Sequence, residues 1–208
     1  MKVAIIGTGN MASGLAKVLS GAQHEVVIGS RDPGKAAALA EQIGPEVQGG
    51  GMVAAVKLAD VVILAIPFAG ASDVLKEAGD LAGKVLVDIS NPISPDFKSL
   101  VIGHTTSAAE EVQALVPKAN VVKAFNTIFA QLLPVEARQG KSLQVFVAGD
   151  NDTAKAQVSS LAKSIGFDAV DAGPLSNSRF IEPIGEMNIH FGYFLGKGPT
   201  VAPNWIQI

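Results

Sequence analysis

The sequence predicts a doubly wound α/β fold with a mostly parallel sheet and a small C-terminal helical extension. Three observations carry that prediction. Apolar residues make up 48% of the 208 residues and charged residues only 17%, which suits central strands buried on both faces. Short β-branched runs alternate with helically spaced segments along most of the chain. The first of those runs ends in a glycine-rich turn that opens the first helical segment.

Taken in order, Lys2 to Gly7 is a β-branched run ending in glycine, as a buried parallel strand should be. Ala12 to Ser20 is the first helix, with Met11, Leu15, Val18 and Leu19 on one side. His24 to Gly29 is the second strand and Gly34 to Ile43 the second helix. The run Gly44 to Gly51 ends in three glycines and reads as a loop, with room for a short strand. Val53 to Leu58 is a short helix before the strand Val61 to Ile66. Ala71 to Ala78 then reads as helix, Val85 to Ile89 as strand, and Pro92 and Pro95 interrupt the loop beyond it. Ser107 to Leu115 is a helix with Glu110 and Glu111 in its first turns, followed by a strand from Asn120 to Phe125. Leu143 to Ala148 is a strand, Thr153 to Ile165 an amphipathic helix, and Phe167 to Asp171 a final short strand. Alternation of this kind implies right-handed crossovers. Residues 1–173 form the main domain; 174–208, a helix from Ser178 to Phe194 and a Gly/Pro-punctuated tail, belong to the same compact unit.

The turn Gly7-Thr8-Gly9-Asn10-Met11-Ala12 fits G-x-G-x-x-A and stands between a strand and a helix. Gly7 permits the tight turn, Gly9 lets a pyrophosphate approach the backbone, and the small Ala12 lets the helix pack closely on the strand. Free N–H groups at the helix start bond phosphate oxygens, aided by the helix dipole. This is the dinucleotide fingerprint of a Rossmann unit. The end of the second strand selects the cofactor. An NAD site places an acid there, whereas Ser30, Arg31 and Lys35 offer a hydroxyl and two cations to a 2′-phosphate. Asp32 stands one residue past the NAD-type position. The expected cofactor is NADP(H).

Other chemistries are disfavoured. A net charge of −3 without a Lys/Arg block gives no footing for nucleic acid. The absence of cysteine removes disulfides, thiolate nucleophiles and cysteine-held metals. His24, His104 and His190 lie far apart, without metal-site spacing, so no metal is expected. Met1 leads straight into a strand with no signal-peptide pattern, and no apolar run approaches the roughly 20 residues of a membrane span. The expectation is a cytoplasmic protein with no membrane partner.

The stretch from Gly7 to Ala36 resembles the N-terminus of the NADP oxidoreductases that depend on the deazaflavin coenzyme F420. Asp171 to Arg179 (DAGPLSNSR) is similar to the same family and is unusually specific. Between them Ala65 to Phe68, Val121 to Ile128 and Val147 to Asp150 fall in the family's order, so the resemblance covers nearly the whole chain. The same fold occurs in the reductase domain of the STEAP metalloreductases and at the head of pyrroline-5-carboxylate reductases. The resemblance implies hydride transfer between NADPH and a ring-shaped carrier, coenzyme F420 or a flavin. It also implies that Thr8, Ser30, Arg31 and Lys35 hold the 2′-phosphate and that Ile66 and Pro67 line the cofactor cleft. Archaeal deazaflavin-using members carry His in the segment corresponding to Asn126-Thr127. This chain reads Phe125-Asn126-Thr127-Ile128-Phe129 there, and its C-terminal run is similar to a bacterial branch.

A hydride passing between two rings needs alignment more than an acid or base, and no catalytic side chain can be named. The second ligand belongs beyond the carboxyl ends of the strands, where Phe68 and the loop Asn126 to Phe129 are the candidates. Asn126 and Thr127 can hydrogen-bond a carboxamide or ring carbonyl, and Phe68 and Phe129 can offer apolar faces. Core packing for the phenylalanines and loop capping for Asn91 and Asn126 are the plain alternatives. Lys123 lies on the strand before Asn126 and is expected to point elsewhere. The expected partner is a small-molecule electron acceptor, deazaflavin, flavin-like or quinone-like. An imine or carbonyl reductase is the alternative, although 174–208 is short for the helical substrate domain it normally needs. A non-catalytic NADP(H) sensor is another. Phe180, Ile184, Met187, Phe191 and Phe194 recur at helical spacing, and Val201, Trp205 and Ile206 follow. That stripe predicts a homodimer, unless the helix packs back on its own sheet.

Overall fold

In a computed structural model, which describes residues 1–206 and 208, eight strands form one sheet in the order β3-β2-β1-β4-β5-β6-β7-β8. The strands are β1 (Lys2–Ile6), β2 (Glu25–Ser30), β3 (Val47–Gly51), β4 (Val61–Leu64), β5 (Val85–Asp88), β6 (Asn120–Lys123), β7 (Gln144–Gly149) and β8 (Asp168–Asp171). All neighbours run parallel except β6 and β7, which pair antiparallel through Val122 and Lys123. Among the described residues the α-helices are α1 (Asn10–Gly21), α2 (Pro33–Ile43), α3 (Met52–Leu58), α4 (Ala71–Glu77), α5 (Ala108–Leu115), α6 (Asp152–Ser164) and α7 (Ser178–Ile189).

Strand β1 shows why the runs are apolar throughout. Val3 and Ile5 face a core built with α1, α2 and α6, while Ala4 and Ile6 face a second core built with α3 and α4. A strand buried on both faces has no polar side to alternate with. The chain winds outward from β1 to β3 and returns through α3 to β4, on the other side of β1. Strand order therefore reverses between β1 and β4, and a crevice opens beyond their carboxyl ends.

Several boundaries differ from the expected ones, each for a local reason. The glycine run is not simply a loop: Val47–Gly51 is edge strand β3. A Cβ on Gly49 would lie 2.1 Å from the Ala36 carbonyl oxygen, so α2 seats directly on that strand only because no side chain intervenes. Helix α1 begins at Asn10, two residues before the expected start, and so takes in most of the glycine turn. Strand β6 stops at Lys123 instead of Phe125, because Phe125 takes a left-handed φ of 60° and turns the chain into the next loop. Helix α7 continues as a π-helical turn from His190 to Phe194.

The amphipathicity of α7 is inverted. Its buried face carries Ile181, Glu182, Gly185 and Asn188, whereas Phe180 (70% exposed), Met187, Phe191 and Phe194 stand in solvent and Ile184 is half-buried. Among the described residues no helix is long and apolar enough to cross a membrane, and no cluster of three or more His, Cys, Asp or Glu is placed to hold a metal.

Candidate functional site

The crevice is built around the turn between β1 and α1. Gly7 donates its N–H to the Gly29 carbonyl at 3.0 Å and has a φ of 132°. A Cβ there would lie 2.3 Å from the Ala65 carbonyl oxygen, so only glycine fits. Gly9 differs: its φ of −83° is ordinary, and a Cβ would meet nothing within 4 Å. The space beside its Cα is open. The first bond of α1 runs from Ser13 N–H to the Gly9 carbonyl at 2.9 Å. The amides of Asn10, Met11 and Ala12 therefore project from the helix end without intrahelical acceptors. Ala12 is fully buried.

From the turn, one hollow of about 430 Å³ extends toward β2 and α2. Gly7, Thr8, Ser30, Arg31, Lys35 and Ile66 line it, with Met52 and Val74 as its apolar wall. Asp32 caps α2, its Oδ1 accepting the N–H groups of Gly34 (3.0 Å) and Lys35 (3.3 Å). The acid beside Arg31 is thus committed to the helix. Ser30 Oγ accepts the Asp32 N–H at 3.2 Å, which leaves its hydroxyl proton free to donate outward. Arg31 and Lys35 are exposed and form no salt bridge among the described residues.

A second hollow of about 240 Å³ begins on the other side of the turn, at Asn10 and Met11. Its walls are Asn91, the loop Phe125 to Gln131, and Gly185, Asn188 and Tyr193. Two amides interlock there. Asn126 Nδ2 donates to Asn91 Oδ1 at 2.8 Å, and Asn91 Nδ2 donates to the Asn126 carbonyl at 2.9 Å. Asn126 Nδ2 also reaches the Ile181 carbonyl at 3.2 Å, while its Oδ1 is buried with no partner. Asn188 Nδ2 holds the carbonyls of Thr127 (3.2 Å) and Val201 (3.3 Å). Phe129 meets Tyr193 edge-on, with ring centroids 5.4 Å apart.

The sequence-predicted residues are therefore divided between the two hollows. Thr8, Ser30, Arg31, Lys35 and Ile66 meet in the first, and Asn10, Met11, Asn126, Thr127, Ile128 and Phe129 in the second. Thr127 and Ile128 are nearly inaccessible, and Ile128 is part of the core. Gly9, Ala12, Pro67 and Phe68 line neither hollow; Phe68 is half-buried at the start of a 3-10 turn, Phe68–Gly70.

Sequence reasoning missed Asn188, Tyr193 and a buried charge cluster behind the second hollow. Lys123 is fully buried, its Nζ 2.6 Å from Asp88 Oδ2, 2.8 Å from Glu182 Oε1 and 2.8 Å from the Ser90 carbonyl. Glu182 also accepts the N–H groups of Ala108 (2.9 Å) and Ala109 (3.2 Å) at the start of α5. Burial pushes the Glu182 carboxyl above the ordinary glutamate range, and Lys123 opposes that shift. The available signal was a charge closing a buried strand, after three apolar residues in Val85–Asp88 and after Val121 and Val122 in Asn120–Lys123.

Residues 2–92 match the family described as NADP oxidoreductase, coenzyme F420-dependent. The F420-dependent NADP reductase of Methanothermobacter marburgensis is 33% identical over 208 residues, covering 91% of this chain and 92% of that protein. Metalloreductase STEAP3 of Rattus norvegicus is 38% identical over 183 residues. That match takes in 88% of this chain but 36% of the rat protein, so the chain spans about a third of that relative's length. Among solved structures, a proposed F420-dependent NADP reductase from Arthrobacter sp. FB24 shares the fold at a TM-score of 0.90 and 32% identity, with 100% of both chains covered.

Proposed function

The chain belongs to the F420-dependent NADP oxidoreductase family, and from that membership we propose that it moves a hydride between NADP(H) and a flat ring acceptor of deazaflavin, flavin or quinone type. The observation that carries this reading is the pair of hollows meeting at one glycine turn, cationic at one end and amide-lined at the other. Ser30, Arg31 and Lys35 would hold the 2′-phosphate, and the free amides of Asn10 to Ala12 the pyrophosphate across open Gly9. The unpartnered Asn126 Oδ1 fits the N–H of a nicotinamide carboxamide. NADPH would supply the hydride; the chain's part is to bind, align and keep water out.

The second hollow favours a ring acceptor over an imine or carbonyl. Among the described residues no Lys, His, Asp or Glu lines it, while Phe129 and Tyr193 offer it aromatic surface that suits a flat ring; Tyr193 is the lining side chain that could supply a proton. Its proposed place of work is the cytoplasm, one compartment in which NADPH is regenerated. We also read 174–208 as part of one unit with 1–173, because Glu182 and the Ile181 carbonyl bond to β6 and the loop after it. The exposed stripe on α7 supports a homodimer, since the helix has turned its aromatic face outward. Sedimentation at micromolar concentration should give twice the chain mass; a monomer would remove that part of the reading.

The function is tested by following NADPH oxidation with a deazaflavin, FMN, a quinone and a ferric chelate in turn. Turnover with a ring acceptor is expected. Reduction of only a small ketone or imine would replace the acceptor class, and tight NADPH binding without turnover would favour the sensor.

A further inference from the structure

The buried charges and the amide pair are two layers of one arrangement. Asp88 and Lys123 close the adjacent strands β5 and β6 and stand opposite each other in register. Three residues further along each chain segment lie Asn91 and Asn126, and three beyond Glu182 lies Gly185. The lower layer is the ion cluster. The upper layer is the interlocked amides with the bare backbone of α7 against them, since a Cβ on Gly185 would sit 2.5 Å from Asn91 Oδ1. The link between the layers is Ser90. Its N–H is held by Asp88 Oδ1 at 2.9 Å and its carbonyl by Lys123 Nζ at 2.8 Å, so the peptides on both sides of Ser90, the residue before Asn91, are clamped.

We propose that Lys123, gripped between Asp88 and Glu182, is a positioning residue that sets the Ser90–Asn91 turn and, through it, the orientation of Asn126 in the second hollow. The assignment deepens the NADP(H) reading above and rests on it for the identity of what Asn126 meets. Stability alone does not account for such a cluster. Two buried carboxylates and an ammonium are rarely worth more than apolar residues of the same volume, whereas they hold their neighbours in fixed directions. The second carboxylate is compensated by the Ala108 and Ala109 amides at the start of α5, so Glu182 ties three elements together at once.

The test separates the two ends of the cofactor. Lys123→Met and the milder Glu182→Gln are compared with wild type for binding of NADPH and of 2′-phospho-ADP-ribose, which lacks the nicotinamide. The emission of bound NADPH, which reports the environment of its ring, is recorded alongside. Both variants should keep the affinities for 2′-phospho-ADP-ribose and for NADPH within about twofold and shift the emission of bound NADPH toward that of the free cofactor. In Asn91→Ala the further change Glu182→Gln should then have little added effect on the emission, because both act through one turn. If Lys123→Met does not fold, Glu182→Gln alone decides. A folded variant with unchanged NADPH emission would overturn the proposal even if wild type reduces every ring acceptor. A shifted emission would uphold it even if wild type reduces none, in which case only the acceptor assignment falls. Wild type that binds no NADPH would overturn both.

Discussion

At the Arg31 end of the cleft the polar side chains come chiefly from one short stretch, Ser30 to Lys35, and stand largely in solvent. At the Asn126 end they come from the loops after β5 and β6 and from α7, and they are mostly buried and bonded to one another. The first end is suited to catching a charged group, since exposed cations need no partner until the ligand arrives. The second is suited to aiming a ring, since interlocked amides cannot turn without breaking bonds. In the proposed reading affinity and alignment are allotted to different chemistry, and substitutions should separate them.

The largest contrast lies within the glycine turn that joins the two ends. Gly7→Ala should destabilise the fold by about 3 kcal/mol or more, because both its φ and the Ala65 carbonyl oppose a side chain. Gly9→Ala should melt like wild type yet bind NADPH roughly tenfold more weakly, since its methyl group would intrude only on the ligand. Urea midpoints beside cofactor titrations check both, and a stable Gly7→Ala would break the contrast. Next in size, Arg31→Ala should cost NADPH binding about 1.5–3 kcal/mol and leave NADH nearly unchanged. Equal binding of the two cofactors by the wild type would remove the phosphate role from this end. At the other end, Asn126→Ala should lower turnover by about tenfold with the NADPH dissociation constant within about twofold. A change in affinity without one in turnover would reverse the division of labour.

The smallest effect is on stability against pH. Glu182 is raised by burial, so its contribution is present below the ordinary glutamate value, about 4.3, and is lost as pH rises through its folded value. Glu110 has the opposite sign. The bond from Arg179 holds it low, so its smaller, partly exposed contribution is present above the ordinary value and fades as pH falls. Urea midpoints of wild type and Glu182→Gln, followed upward from pH 5, should move in favour of the glutamine variant. The reverse trend would mean that Lys123 outweighs burial and holds Glu182 ionised.

How much was legible follows the same division. The strand–turn–helix from Lys2 to Gly21 and the run Ser30 to Lys35 were readable because every residue involved is a near neighbour in the chain. Asn126 was legible only as a loop amide. Its partner Asn91 lies on another strand's loop, and Asn188 and Tyr193 come from the far end of the sequence. Helix α7 shows what periodicity leaves undecided. The stripe from Phe180 to Phe194 marks an apolar face correctly, but α7 is packed by the face opposite to it. The reason is Lys123, whose buried ammonium requires carboxylates and so draws Glu182 inward at the expense of the aromatic side.

By itself the sequence determined the winding of the sheet, the glycine turn and the cationic end, because strand and helix periods and turn chemistry act over a few residues. Only the tertiary structure decided which face of α7 is buried, that Lys123 points into the protein, and that four asparagines and a glycine from distant segments close the second hollow. Those outcomes depend on pairing charges and amides across the sheet. Which partners meet is set by the packing of whole elements, a property that no local window of sequence contains.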